Sequence, residues 1–156
     1  MKNRKILHDY GIILIVLAII DLLSLVTSTI TQIMDGTLDN VFATVESSLL
    51  TAVKVSLVAV IVLQAVLILA QIAIGWIGLK VSRNPVANKG YITAAKVFFV
   101  LNIIATICVV IVLISSGSNQ LFNNILSLLC AVADVLIYYY FIKSAKAVRQ
   151  SVLENK

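Results

Sequence analysis

The chain has 156 residues, of which 61% are hydrophobic and 12% are charged, and its formal net charge is +5. Soluble domains average about 45–50% apolar and about 25% charged residues. This composition excludes a disordered protein, a nucleic-acid-binding domain and a typical soluble enzyme, and it predicts a protein whose main solvent is lipid.

Four stretches of the chain are long enough to cross a membrane. About 20 mostly apolar residues are needed to span about 30 Å of hydrocarbon. The stretches that meet this length are residues 10–33, 49–79, 91–114 and 121–142. Four such stretches predict an all-α polytopic membrane protein that forms a single transmembrane domain. Because the connections between them are short, we expect the four helices to form an up-down-up-down antiparallel bundle.

The connections carry local signals of their own. Apolar residues recur at helical spacing in residues 38–48, which predicts an amphipathic helix on the outer surface or an outer extension of the second span. Asp39 is expected to cap its start. The pair Asn84-Pro85 predicts a turn that ends the second helix. The tail, residues 143–156, is expected to continue the last helix near anionic lipid headgroups.

Positive charge collects at one end of the predicted spans. Ten of the twelve Lys and Arg residues lie before the first span, between the second and third, or after the fourth. Lys96 lies near the same end, and only Lys54 belongs to the other. Because Lys and Arg are enriched on the cytoplasmic side, both termini, the tail and the connection between the second and third spans are expected to be cytoplasmic in a multi-pass cell-membrane protein. The net charge is therefore interpreted as a topology signal, and no nucleic-acid partner is expected.

Each predicted span carries one strongly polar side chain near the middle of the membrane. At 1.5 Å per residue from the basic ends, Asp21 and Asn102 lie about 16 Å deep, and Gln71 and Asp134 lie about 13 Å deep. Polar groups in hydrocarbon are costly and tend to face the interior of a bundle. The four residues are therefore predicted to form a polar layer.

Three interpretations of this polar layer remain open. In the first, its hydrogen bonds fix the register of the helices and its role is structural. In the second, the two carboxylates and two amides form a cation or proton site. In the third, a carboxylate pairs with a charged residue of a partner subunit.

Lys54 lies about one turn inside the outer end of the second span. Either its ammonium extends outward to Asp35, Asp39 or Glu46, or it points inward and acts as an outer gate to the polar layer. Cys108 and Cys130 both fall in apolar runs. Their placement predicts buried thiols and not a disulfide or a metal site.

The residues that membrane enzymes and cofactor proteins require are missing from the predicted spans. The only histidine, His8, precedes the first span. The sequence contains no zinc-protease, serine-hydrolase or nucleotide-binding motif. We therefore expect no catalytic activity, no metal site, no cofactor and no soluble substrate.

The sequence favours a small integral membrane protein that contacts the lipid bilayer and acts as an interaction or accessory subunit. We expect it in a homo-oligomer or beside a larger membrane-protein partner, because four short-looped helices enclose little volume for a substrate path. The alternative is a small cation or proton channel or transporter that uses Asp21 and Asp134.

Overall fold

The computed structural model describes residues 2–86, 88–115 and 121–154, and these residues form five α-helices. The helices are α1 (Lys2–Met34), α2 (Thr37–Thr44), α3 (Leu50–Arg83), α4 (Gly90–Ser115) and α5 (Leu121–Glu154). All except α2 are long and apolar enough to cross a membrane. The predicted all-α class and the four candidate spans are thereby confirmed. The predicted connection between the third and fourth spans comprises residues 115–120; Ser115 is the last residue of α4, and residues 116–120 lie outside the described residues.

The ends of the long helices follow from the local sequence. α3 ends at Arg83, directly before Asn84 and Pro85, because a proline ring disfavours the helical conformation of the residue before it. α5 continues without a break to Glu154, so residues 143–154 of the predicted tail are part of the last helix. Helices of 34 residues are about 50 Å long. α3 and α5 therefore exceed the thickness of the hydrocarbon layer, which is about 30 Å.

The segment between the first two spans forms a shorter helix than its apolar spacing predicts. α2 ends at Thr44, and Val45 is extended, with φ −90° and ψ 133°. The prediction that Asp39 caps this helix is wrong. The N-cap is Gly36, which adopts a left-handed conformation (φ 66°, ψ 11°) that glycine tolerates at no steric cost. Asp39 lies in the first turn of α2, where its negative charge interacts favourably with the positive end of the helix dipole.

The contacts of the chain define two compact units. Unit 1 comprises Met1–Leu14 together with Ile74–Lys156, and unit 2 comprises Ile15–Ala73. Eleven of the twelve basic residues belong to unit 1, and unit 2 contains only Lys54. The sequence therefore distributes its charge unevenly between the two units.

The main hydrophobic core lies within unit 1. Its largest fully buried side chains are Tyr138, Phe141, Leu7, Leu14 and Val148. Aromatic pairs join α4 to α5. Tyr91 meets Phe141 edge to face at 6.5 Å between ring centroids, and Phe98 stacks on Tyr138 at 6.0 Å. As the residue numbers rise along α4, those of the partners fall along α5, which is the order expected of two antiparallel neighbours.

Cys108 and Cys130 are both exposed, so the prediction of buried thiols is wrong. An outward-facing position in a membrane span contacts lipid and not water. A free cysteine behaves as a small hydrophobic side chain and is tolerated there. The apolar runs around these residues thus indicated a hydrocarbon environment, which is a different property from burial inside the chain.

Candidate functional site

An open cavity lies between α1 and α3 within unit 2 and has a volume of about 410 Å³. We call it the Asp21 cavity. Its lining residues are Asp21, Ser24, Leu25, Ser28, Gln64, Leu67 and Ile68. The cavity therefore places a carboxylate, two hydroxyl groups and a side-chain amide together in the apolar part of the chain.

Helical periodicity explains why these side chains converge. Asp21, Ser24 and Ser28 follow i, i+3, i+7 spacing and therefore form one stripe along α1. Gln64 and Ile68 are four residues apart and share a face of α3. The polar stripe of α1 thus lies beside a part of α3 at which Gln64 is the polar side chain that lines the cavity.

Most of the polar groups in the Asp21 cavity have no partner in the described part of the chain. The Ser28 hydroxyl donates to the backbone oxygen of Leu25 at 3.1 Å. The Asp21 carboxylate, the Ser24 hydroxyl and the Gln64 amide make no hydrogen bond or ion pair with any described residue, and all three side chains are exposed. Since lipid offers no hydrogen bonds to such groups, they are costly in hydrocarbon until a partner is supplied.

Gln71 belongs to unit 2 but does not line the Asp21 cavity. Gln64, which lies about two turns earlier on α3, lines this cavity, and the place of Gln71 in a polar layer stays a prediction. Both glutamines share one helical face, so the sequence carried the signal for this face. Depth counted along one helix does not determine which of two residues on that face lines the Asp21 cavity.

The other two residues of the predicted polar layer belong to unit 1. Asn102 is half-buried, and its Nδ2 donates to the backbone oxygen of Phe98 at 2.9 Å, within α4. No hydrogen bond joins Asn102 to Asp134 among the described residues. Asp134 is half-buried on α5. The four residues thus divide between the two units, and the polar layer as a whole stays a prediction.

Lys54 makes a contact that the sequence analysis missed. Its Nζ lies 5.1 Å from the centroid of the Phe42 ring of α2, within the range of a cation–π interaction. Within the described residues it forms no ion pair with Asp35, Asp39 or Glu46. The amphipathic pattern of α2 placed Phe42 on an apolar face, but it gave no sign that a lysine would cover the ring.

The described residues contain no group of three or more His, Cys, Asp or Glu side chains that could hold a metal ion. Comparison with protein-family models, with curated proteins and with solved structures finds no match for this chain. The class of protein is therefore inferred from the helices of this chain alone. Four helices long and apolar enough to cross a bilayer indicate a small multi-pass integral membrane protein in contact with lipid.

Proposed function

We propose that the protein is an interaction subunit of a larger membrane assembly and that another transmembrane helix docks on the Asp21 cavity. One observation carries this proposal. Asp21, Ser24 and Gln64 open onto an exposed face of the apolar region and have no partner among the described residues. A docked helix that supplies hydrogen-bond donors satisfies these groups, whereas lipid does not.

The low burial of the spans supports the same proposal. In the apolar 18-residue stretch of each candidate span, no more than 28% of the residues are buried inside the chain. Most of each span is therefore available to lipid or to other helices. Interhelical hydrogen bonds in membranes contribute about 0.6 kcal/mol on average and at most about 1.7 kcal/mol each. Several such bonds at one cavity determine where a partner helix docks and in which register. The proposal assigns no catalytic role to the protein.

Photo-cross-linking from the Asp21 cavity tests this proposal. In a Cys108→Ser, Cys130→Ser background, a thiol-linked benzophenone is attached at Ser24→Cys or Ser28→Cys in native membranes. Leu23→Cys is the matched control, because Leu23 is 62% exposed and lies on the opposite face of α1 at a similar depth. We expect a protein adduct of defined mass from positions 24 and 28 and little from position 23.

The mass of the adduct identifies the form of the assembly. Twice the mass of the chain indicates a homo-oligomer, and another defined mass indicates a different membrane protein. Lipid adducts alone at positions 24 and 28, or equal protein adducts from all three positions, would contradict docking at the Asp21 cavity.

A cation or proton channel or transporter is the second candidate function. The observation that favours it is the oxygen-rich lining of the Asp21 cavity, since hard cations prefer carboxylate, hydroxyl and carbonyl oxygens. Flux through liposomes that contain the purified protein distinguishes the two candidates. Flux that is lost in Asp21→Asn, with the assembly unchanged, supports transport. Absence of flux under proton and potassium gradients excludes it.

We also propose that both termini and the connection between α3 and α4 face the cytoplasm. Support comes from the basic residues, ten of the twelve of which lie before the first predicted span, between the second and third, or after the fourth, because positive charge is enriched on the cytoplasmic side. In the cysteine-free background, Asn88→Cys is expected to react with a membrane-impermeant maleimide only after the cells are permeabilised. Labelling of this position in intact cells contradicts the orientation.

A further inference from the structure

A continuous basic cleft runs between α4 and α5 in unit 1. It consists of two adjoining cavities of about 560 and 380 Å³, which share Lys96, Lys146 and Gln150. We call this feature the α4–α5 cleft. It is separate from the Asp21 cavity in sequence, in lining residues and in the unit to which it belongs.

The α4–α5 cleft concentrates positive charge. Among the described residues, five basic side chains line it and no carboxylate does; the five are Lys89, Lys96, Lys143, Lys146 and Arg149. Within the described residues, none of the four lysines has a carboxylate within ion-pair distance. The described lining therefore combines several cations with no carboxylate, and it fits an anionic ligand.

Helical spacing brings these cations together. Lys143, Lys146 and Arg149 recur at intervals of three residues along α5. Lys89 directly precedes α4, and Lys96 lies in the second turn of that helix. Because α4 packs directly on α5, these cations face one cleft. The charge is thus a property of the packed helix pair, and it does not arise from one helix alone.

One end of the cleft is apolar. Phe99, Tyr139 and Ile142 line the larger cavity, whereas Lys89 and Arg149 line only the smaller one. Lys96 belongs to a candidate membrane span, Gly90–Ile111, and lies about 9 Å from the start of α4. A ligand that fills the cleft must therefore offer an anionic group at the membrane interface and an apolar group deeper in the membrane.

We propose that the α4–α5 cleft is a binding site for an anionic phospholipid. Lys96 and Lys146 hold the phosphate, and an acyl chain lies along Phe99 and Ile142. Basic pockets between membrane helices are suited to such headgroups. A soluble phosphate shares the charge but has no group for the apolar end of the cleft, and the lipid therefore fits better.

Fluorescence quenching by brominated lipids tests the proposal on the full chain. The chain has one tryptophan, so a Trp76→Phe, Tyr139→Trp parent carries a single reporter at the deep end of the cleft. The parent is reconstituted in phosphatidylcholine vesicles that contain brominated phosphatidylglycerol or, for comparison, brominated phosphatidylcholine. We expect the parent to prefer the anionic lipid by about twenty-five-fold, since Lys96 and Lys146, which hold the phosphate, each add about a fivefold preference.

The controls separate a defined site from general surface charge. Adding Lys96→Gln and Lys146→Gln should bring the preference for the anionic lipid close to one. Adding Lys80→Gln and Arg83→Gln makes the same change of charge at two exposed residues that line a different cavity, and it should alter the preference by less than about twofold. Lys96→Arg with Lys146→Arg should retain the preference, because both cations remain.

Several outcomes overturn the proposal. No anionic preference in the parent shows that the cleft does not select a lipid. Equal losses in the two glutamine pairs show that general surface charge produces the preference. Displacement of the brominated lipid by free inorganic phosphate shows a site for soluble anions. Since the parent alone gives the first and third outcomes, the test does not depend on the folding of the glutamine variants.

Discussion

Phe141→Ala is expected to lower the free energy of unfolding by about 3 kcal/mol. Phe141 is 0% exposed in the core of unit 1 and meets Tyr91 edge to face. Its ring also lies directly against the backbone of Gly78, where an added Cβ would be 2.5 Å from ring carbon Cε2. Truncation removes these contacts and leaves a cavity that the surrounding helices cannot close without moving.

Unfolding in mixed micelles with increasing dodecyl sulfate, followed by far-ultraviolet circular dichroism, measures this loss. Leu136→Ala is the control on the same helix, because Leu136 is 50% exposed, and its expected cost is below about 1 kcal/mol. Equal losses in the two variants would contradict the location of the core.

Gly78→Ala checks the close approach at the same contact. Alone it is expected to cost about 1–3 kcal/mol, because the new methyl group overlaps the Phe141 ring. In the Phe141→Ala background the ring atoms are absent, and the same change should cost much less. The double-mutant cycle isolates this coupling, and additive losses would show that the two residues do not interact.

The sequence predicts the four spans well, because length and apolar composition are local requirements of a helix in lipid. It predicts much less well which face of each span is buried. Inside a membrane, the lipid-facing and protein-facing sides of a helix are both apolar. Cys108, Cys130 and Ile111 are exposed although each lies in an apolar run, and no periodicity in those runs distinguishes them from core residues such as Tyr138 or Phe141.

Part of the candidate site, in contrast, could be predicted from the sequence. Asp21, Ser24 and Ser28 stand out against apolar neighbours, so their shared face on α1 is visible in the sequence. Which residue of α3 lines the same cavity depends on how the two helices are aligned, and this alignment is set by packing. On this face of α3, Gln64 lines the Asp21 cavity and Gln71 does not. The contact of Lys54 with Phe42 joins two different helices, α3 and α2. The local sequence does not specify the distance between these helices, so the contact could not be predicted from it.

Asp21→Leu is expected to weaken assembly about tenfold. A carboxylate that accepts two interhelical hydrogen bonds contributes on the order of 1.4 kcal/mol to association, which corresponds to a factor of about ten in the dissociation constant. The fold of the single chain should be unchanged, because Asp21 is exposed and forms no hydrogen bond or ion pair with the described residues. Asp21→Asn should have a smaller effect, since the amide oxygen still accepts a hydrogen bond.

A partner helix is proposed to bind the Asp21 cavity. The most direct test extracts the protein from native membranes in mild detergent and measures the mass of the assembly as the sample is diluted. Asp35→Leu is the matched control, because Asp35 is an exposed aspartate just beyond the end of α1 and outside the cavity. We expect Asp21→Leu to shift the protein toward the single chain at full helicity, while Asp35→Leu retains the assembly. An assembly of the same mass and the same dilution dependence in Asp21→Leu as in the unsubstituted protein would contradict the claim.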